Sequence, residues 1–256
     1  MINLTNKHAL VFGVTNERSI AWCVAKELFS AGANIILVCQ NERIKREVEQ
    51  LARTLSEKIL VLVCDVSDDG QLDLLVNNLR SYTDRIDVLV HSIAYAPKEV
   101  LHNPFVQVSR DSFKVTMDVS VYSMIAVVQR VLSFMQNGGS VITMSYYGSH
   151  KAIPNYNLMG PAKAALEAVV RYLANELGPR GIRVNAISAG PVNTVASRAI
   201  PGFLKILKHY QSVSPLRRNV KPEEIGTLAA FLASDLSGAI TGQVIFADCG
   251  YSIVGL

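Results

Sequence analysis

Seven short runs of apolar, largely β-branched residues, each bounded by turn formers, limit most strongly what this chain can fold into. They occupy 8–12, 34–39, 59–64, 87–91, 140–144, 182–187 and 243–247. Each is nearly continuous in apolar character rather than alternating, as a strand covered on both faces requires. Between them, 21–31, 41–57, 70–82, 118–135, 157–177 and 223–233 carry apolar residues three or four apart, the period of a helix. This alternation predicts parallel β-α-β units and an α/β, doubly wound parallel sheet with helices on both faces. Gly32, Gly138-Gly139 and Gly178-Pro179 stand where helices should stop, since glycine supplies a left-handed terminus and proline forbids continuation.

A chain of 256 residues, half of them apolar and 18% charged, can bury a full core and is neither disordered nor fibrous. With no linker-like run, one domain spanning 1–256 is expected. The charge balance, 25 Lys+Arg against 21 Asp+Glu, leaves only +4. That lacks the dense basic stripe of a nucleic-acid binder. Cys23, Cys39, Cys64 and Cys249 are far apart and form no metal-ligating or redox pair, so they read as core residues of a reducing compartment, with no metal. No leader pattern and no membrane-spanning apolar stretch is apparent, so a cytoplasmic location is expected.

The first run leads into Gly13, then Thr15 and Ser19, and then a helix. A glycine there lets the backbone approach a pyrophosphate seated on the helix N-terminus. The G-x-G-x-x-G spacing is absent, so an ordinary strand–turn–helix corner stays open. After the second run, where an NAD site normally offers a carboxylate, stands Gln40. Arg43 could meet a 2′-phosphate or simply flank a helix. Asp65, after the third run, could accept from an adenine amine or cap the next helix, a role open also to Ser67 and Asp68.

Tyr146 and Tyr147 follow the fifth run, and Tyr156 precedes the helical segment that contains Lys163. Seven residues turn an α-helix by about 700°, so Tyr156 and Lys163 would share a face ~10 Å apart along the axis. A tyrosine hydroxyl can donate to a developing enolate or alkoxide, and a nearby ammonium favours it. A core tyrosine and a surface lysine at chance spacing is the competing reading. Pro161, tolerated only in a first turn, puts the helix start near Asn157.

Six stretches together resemble one family, the enoyl-acyl-carrier-protein reductases of the divergent short-chain dehydrogenase/reductase type. They are Gly13 with Arg18–Ala21; Cys64-Asp65-Val66; His91–Pro97; Ala152–Lys163; Arg183–Pro191; and, more weakly, Ser234–Ser237 running to Thr241-Gly242. The resemblance implies a Rossmann-type fold with a small substrate-binding lid at 191–220, and a nicotinamide cofactor, NADH by preference and NADPH as a possibility. It implies that Gly13, Ser19 and Ile20 lie along the pyrophosphate, and Gln40, Asp65 and Val66 around the adenine. Ser92, Ile93 and Ala94 would lie along the ribose and nicotinamide, with Val192 and Thr194 at the carboxamide and phosphates. Lys163 would hold the nicotinamide ribose, Tyr156 would bond the thioester oxygen, and Tyr146 and Ala96 would face the acyl chain. The catalytic set implied is thus Tyr146, Tyr156 and Lys163.

Ordinary short-chain dehydrogenases place tyrosine four residues before the lysine; Met159 stands there, and it has no proton to give. Ala94 and Pro161 depart from the family pattern. The resemblance further implies an acyl carrier protein as partner, which Lys205, Lys208 or Arg217-Arg218 could meet, and a homotetramer. An ordinary carbonyl dehydrogenase, or a nucleotide-binding module without catalysis, are the alternatives.

Overall fold

The structure, a computed structural model, describes residues 2–255. Strands β1 (His8–Phe12), β2 (Asn34–Cys39), β3 (Leu60–Val63), β4 (Val88–His91), β5 (Gly139–Ser145), β6 (Ile182–Ala189) and β7 (Val244–Ala247) form one parallel sheet. Their order is β3-β2-β1-β4-β5-β6-β7. All seven expected runs are strands. Helices follow as α1 (Ile20–Ser30), α2 (Glu42–Arg53), α3 (Asp69–Tyr82), α4 (Lys98–His102) and α5 (Arg110–Met117). Then come α6 (Ser123–Val131), α7 (Met159–Leu177), α8 (Val195–Arg198), α9 (Phe203–Val213) and α10 (Pro222–Ala233).

Successive strand residues point to opposite faces, so each run feeds two cores. Ala9 and Val11 of β1 pack with Trp22 and Leu28 of α1, Val48 of α2 and Ile225 of α10. Leu10 and Phe12 pack on the other side with Leu75 of α3, Val127 of α6 and Leu166 of α7. The doubly wound arrangement follows directly from apolar residues on both strand faces.

The strand order reverses between β1 and β4, and in such sheets ligands bind outside the carboxyl ends of the strands at that point. Gly13 and Ser92, one residue beyond those two strands, come so close that a Cβ on residue 13 would lie 2.1 Å from the Ser92 carbonyl oxygen. With φ +94° as well, the position excludes any side chain.

Several helix boundaries differ from expectation for local reasons. α2 ends at Arg53, four residues early, where the Thr54 hydroxyl donates to the Leu51 carbonyl. α7 begins at Met159, because Asn155 and Asn157 take left-handed backbone (φ 63° and 42°) and break the approach. Gly178 is helical; the left-handed turn expected there lies at Gly181. The segment 118–135 is the second half of a longer helix. α5, a π-helical stretch (Asp118–Tyr122), α6 and a 3-10 turn run together as Arg110–Phe134.

That 25-residue helix is apolar and long enough to cross a membrane, although the sequence reading found no such stretch. Arg110, Asp111, Lys114, Asp118 and Arg130 interrupt its apolar run, so no continuous apolar stretch marks it in the sequence. Half of its most apolar window is buried within the fold. Its first part is amphipathic in reverse. Ser112 and Thr116 face inward, while Phe113, Val115, Tyr122 and Ile125 are exposed. Finally, 191–220 contains no strand and holds the helices α8 and α9.

Candidate active site

The turn between β1 and α1 is held by its own side chains. Ser19 caps α1, its hydroxyl accepting from Trp22 N–H at 3.3 Å and donating to the Asn16 carbonyl at 2.8 Å. The Asn16 side chain in turn accepts from Arg18 N–H, 2.9 Å. Ile20 is the first helical residue, so its N–H and that of Ala21 have no partner within the helix. Such free amides, with the helix dipole behind them, suit an anion. Glu17 and Arg18 line one cleft with Val192 and Asn193, so the far end of the chain closes on the same turn. Thr194 caps α8, accepting from Ser197 N–H at 3.0 Å.

At the ends of β2 and β3, Gln40 Nε2 donates to the Asp65 carboxylate at 3.1 Å. Asp65 also accepts from the amide and hydroxyl of Ser67. Burial pushes the Asp65 carboxyl up, but these hydrogen bonds outweigh it and hold it below the usual range. The cap of α3 is Asp68, 3.2 Å from Gln71 N–H, which leaves Asp65 free of that role. Val66 is buried beside it. Arg43 lies exposed in the first turn of α2.

Beyond β4, Ser92 and Ile93 are half-buried and Ala94 is exposed. The π-helical stretch fixes this loop: Ser120 accepts from Tyr95 N–H at 2.9 Å and donates to its carbonyl at 2.8 Å. The extra residue of a π turn re-aims Ser120, a frequent device at functional sites.

Beyond β5 the tyrosines meet. The Tyr146 and Tyr156 rings pack edge to face, 4.9 Å between centroids. Leu101, Met159, Ala96, Ile153 and Ile200 pack around them, so Ala96, Tyr146 and Tyr156 share one apolar cluster. Tyr156 is not on the helix, however. It sits three residues before α7, and the shared-face argument for Tyr156 and Lys163 fails. Their grouping comes instead from the turn that brings 146–149 against the start of α7. A Cβ at Gly148 would lie 2.5 Å from the Tyr156 ring and 3.2 Å from that of Tyr146. Gly148→Ala is therefore expected to overpack the pair and destabilise the fold by about 1–3 kcal/mol. A denaturant midpoint unchanged from wild type would show that the rings yield freely.

Lys163 is buried, and its ammonium donates to the Met144 carbonyl at the end of β5, 2.8 Å. No hydrogen bond joins it to Tyr156 among the described residues. Burial lowers its pKa to about 8, and the charge of Glu167 opposes that shift. Burial likewise pushes the Tyr156 hydroxyl far up and that of Tyr146 to about 12, so both are neutral donors near neutral pH.

Three residues escaped the sequence reading. Glu167, buried one helical turn after Lys163, accepts from the Ser145 and Ser149 hydroxyls and lies 3.2 Å from His150 Nε2. Its i,i+4 spacing from Lys163 was a usable signal. His91 is fully buried against Thr143 and Ser123 and held neutral, its pKa pushed to about 3 by burial and then by the Lys163 charge. Tyr210, on α9, donates to the Tyr146 hydroxyl, and nothing local foretells it.

The chain matches its relatives over nearly their whole length. A family model described as enoyl-(acyl carrier protein) reductase matches residues 13–252. The enoyl-[acyl-carrier-protein] reductase [NADH] of Synechocystis sp. is 46% identical over 259 residues, covering all of both chains. The Bacillus cereus enoyl-acyl carrier protein reductase, solved with NADP+ and indole naphthyridinone, superposes with a TM-score of 0.97 at 43% identity, covering both chains fully. The Anaplasma phagocytophilum enzyme, solved with NAD, gives 0.93 at 40% identity, covering 99% of this chain and 94% of the other.

Proposed function

The chain belongs to the enoyl-(acyl carrier protein) reductase family, and on that premise we propose how its residues divide the reaction among them. It is an oxidoreductase of fatty-acid synthesis that saturates the trans-2 double bond of an enoyl thioester, with NADH as reductant. The observation that carries the division of roles is the Tyr146–Tyr156 pair, set in one apolar cluster beside the strand end that Lys163 grips.

The residues present fit a dinucleotide. Gly13 lets the ends of β1 and β4 close up against each other, Ser19 and Ile20 would present the free amides of the α1 terminus to the pyrophosphate, and Val192, across the cleft from Arg18, would close over it with Thr194. Gln40, Asp65 and Val66 would bound the adenine, and Ser92, Ile93 and Ala94 the ribose and nicotinamide. Asp65, held ionised against Gln40, would repel a 2′-phosphate, which favours NADH. Lys163 would hold the nicotinamide ribose hydroxyls.

When bound, the reduced nicotinamide would supply a hydride to the β-carbon of the enoyl thioester, and a proton drawn from solvent onto the α-carbon would complete the saturated thioester. The protein acts on the charge that then gathers at the carbonyl oxygen. Tyr156 donates its O–H to that oxygen, and the bond strengthens as the oxygen becomes an enolate, so it stabilises the transition state more than the ground state. The Lys163 ammonium adds a favourable field, and Tyr146 and Ala96 line the acyl side. The apolar cluster excludes water, which strengthens each of these interactions. Carbonyl reduction of the ordinary kind would need a hydroxyl at position 159. Met159 is instead a buried wall of the cluster, and 3-oxoacyl thioesters should not be turned over.

The charge on Lys163 sets a pH dependence. Its folded pKa is lowered from 10.5 to about 8, so the ammonium is complete only below that value. The kcat/KM for an enoyl thioester, followed by loss of NADH absorbance, should fall as pH rises through about 8, since it reports groups of the free enzyme. Between the two pKa values the unfolded chain holds a proton that the folded chain has lost, so stability rises with pH there. Lys163→Arg keeps its charge and should lose this limb. A wild-type profile flat to about pH 10 would remove the lysine from the mechanism.

The whole chain would work as one domain, with 191–220 as the substrate lid. An acyl carrier protein would present the substrate. Lys205 and Lys208 are exposed on α9 and suit its acidic surface, whereas Arg218 is already paired with Glu224. A homotetramer would cover Phe113, Val115, Tyr122 and Ile125 on the long helix and Tyr172 on α7, which are exposed in one chain. The free thiols of all four cysteines suit the cytoplasm.

A further inference from the structure

We propose that Tyr210 is a positioning residue for Tyr146, so that the seating of α9 decides which way the Tyr146 hydroxyl points. Most of α9 faces solvent, but Tyr210 turns inward and is only 2% exposed. Its hydroxyl donates to the Tyr146 hydroxyl at 3.2 Å. Its ring lies flat on Tyr251, 3.6 Å between centroids and 14° from parallel. Tyr251 belongs to a turn that Asp248 holds by accepting from the amides of Gly250 and Ser252. A rigid stack therefore backs the one hydrogen bond.

A phenol has a single proton and two lone pairs. Because Tyr210 donates, the Tyr146 oxygen accepts, and the Tyr146 proton must be given elsewhere. Tyr146 packs edge to face on Tyr156, within the cluster that contains Ala96, so that proton is available to an acceptor in the apolar cluster. Without Tyr210 the Tyr146 hydroxyl rotates without a fixed partner, and its own donation is lost to the average. Both hydroxyls are pushed upward by burial and stay protonated near neutral pH, so each keeps one proton to give. Movement of α9 away from the sheet breaks the contact, so closure of 191–220 and alignment of Tyr146 become one event.

This inference rests on the reading that Tyr146 faces the substrate, and a double-mutant cycle separates the two. Tyr210→Phe keeps the ring and its stack, and a denaturant midpoint near wild type will show that it folds. With an enoyl thioester and NADH, Tyr210→Phe should lower kcat about five- to tenfold, the effect of one neutral hydrogen bond, and leave the KM for NADH unchanged. In a Tyr146→Phe background the same change should cost nothing further. Losses that multiply in the double variant, or a silent Tyr210→Phe beside an impaired Tyr146→Phe, overturn the inference alone. A silent Tyr146→Phe overturns the reading of Tyr146 and the inference with it.

Discussion

Tyr156→Phe is expected to lower kcat by about 10²-fold, the usual effect of deleting one donor to a developing oxyanion. The affinity for NADH should stay within about twofold, because the ring remains and no assigned cofactor contact passes through the hydroxyl. The ring is packed by Leu101, Met159 and Ala96 and is 8% exposed, so removing one oxygen leaves the cluster in place. Burial pushes this hydroxyl well above the usual phenol range. It therefore serves as a neutral hydrogen-bond donor rather than a source of free protons, and its effect lies in the transition state. Pre-steady-state hydride transfer and NADH titration by fluorescence separate the two quantities. Equal losses in both would take Tyr156 away from the thioester oxygen.

Lys163→Met is expected to act in the opposite order, on the cofactor first. Charge-assisted hydrogen bonds are worth about 1.5–3 kcal/mol each, so losing those to the ribose should weaken NADH binding by about 10²-fold. Methionine keeps the apolar stem but abandons the Met144 carbonyl and leaves Glu167 without its neighbouring charge. Breaking a buried pair commonly costs about 3–5 kcal/mol. The loss should be smaller here, because Ser145, Ser149 and His150 still serve the Glu167 carboxylate. A fluorescence titration showing unaltered NADH affinity would assign the lysine to the fold alone. Together the two variants split the site: one loses rate with affinity kept, the other loses affinity first.

The strands were legible because their physics is local. A run such as 34–39 is apolar throughout and ends in turn formers, and β2 occupies the same residues. The need for glycine at position 13 was not legible, because it comes from Ser92 of a distant strand end. Helices were harder. α5 shows its phenylalanine and valine to solvent and buries a serine and a threonine, so the pattern that marks an amphipathic helix points the wrong way. Periodicity alone cannot tell an apolar face turned outward from one turned to the core. Tyr156 and Lys163 were picked out together, yet the reasoning from helical spacing was wrong. Two left-handed asparagines delay α7, and the tyrosine reaches the site from a turn.

The sequence by itself determined which segments are strands and that the sheet is covered on both faces. Those properties depend on neighbours a few residues apart, which periodicity and turn chemistry report. Only the tertiary structure decided that β4 returns beside β1 and so where the cleft opens. It alone decided that Asp65 serves Gln40 rather than a helix cap, and that Tyr210 reaches Tyr146 across 64 positions. Such pairings arise from crossovers that bring distant strand ends together. No local pattern records them, because the hydrophobic drive that closes a crossover depends on apolar area and not on which polar groups it brings to the rim.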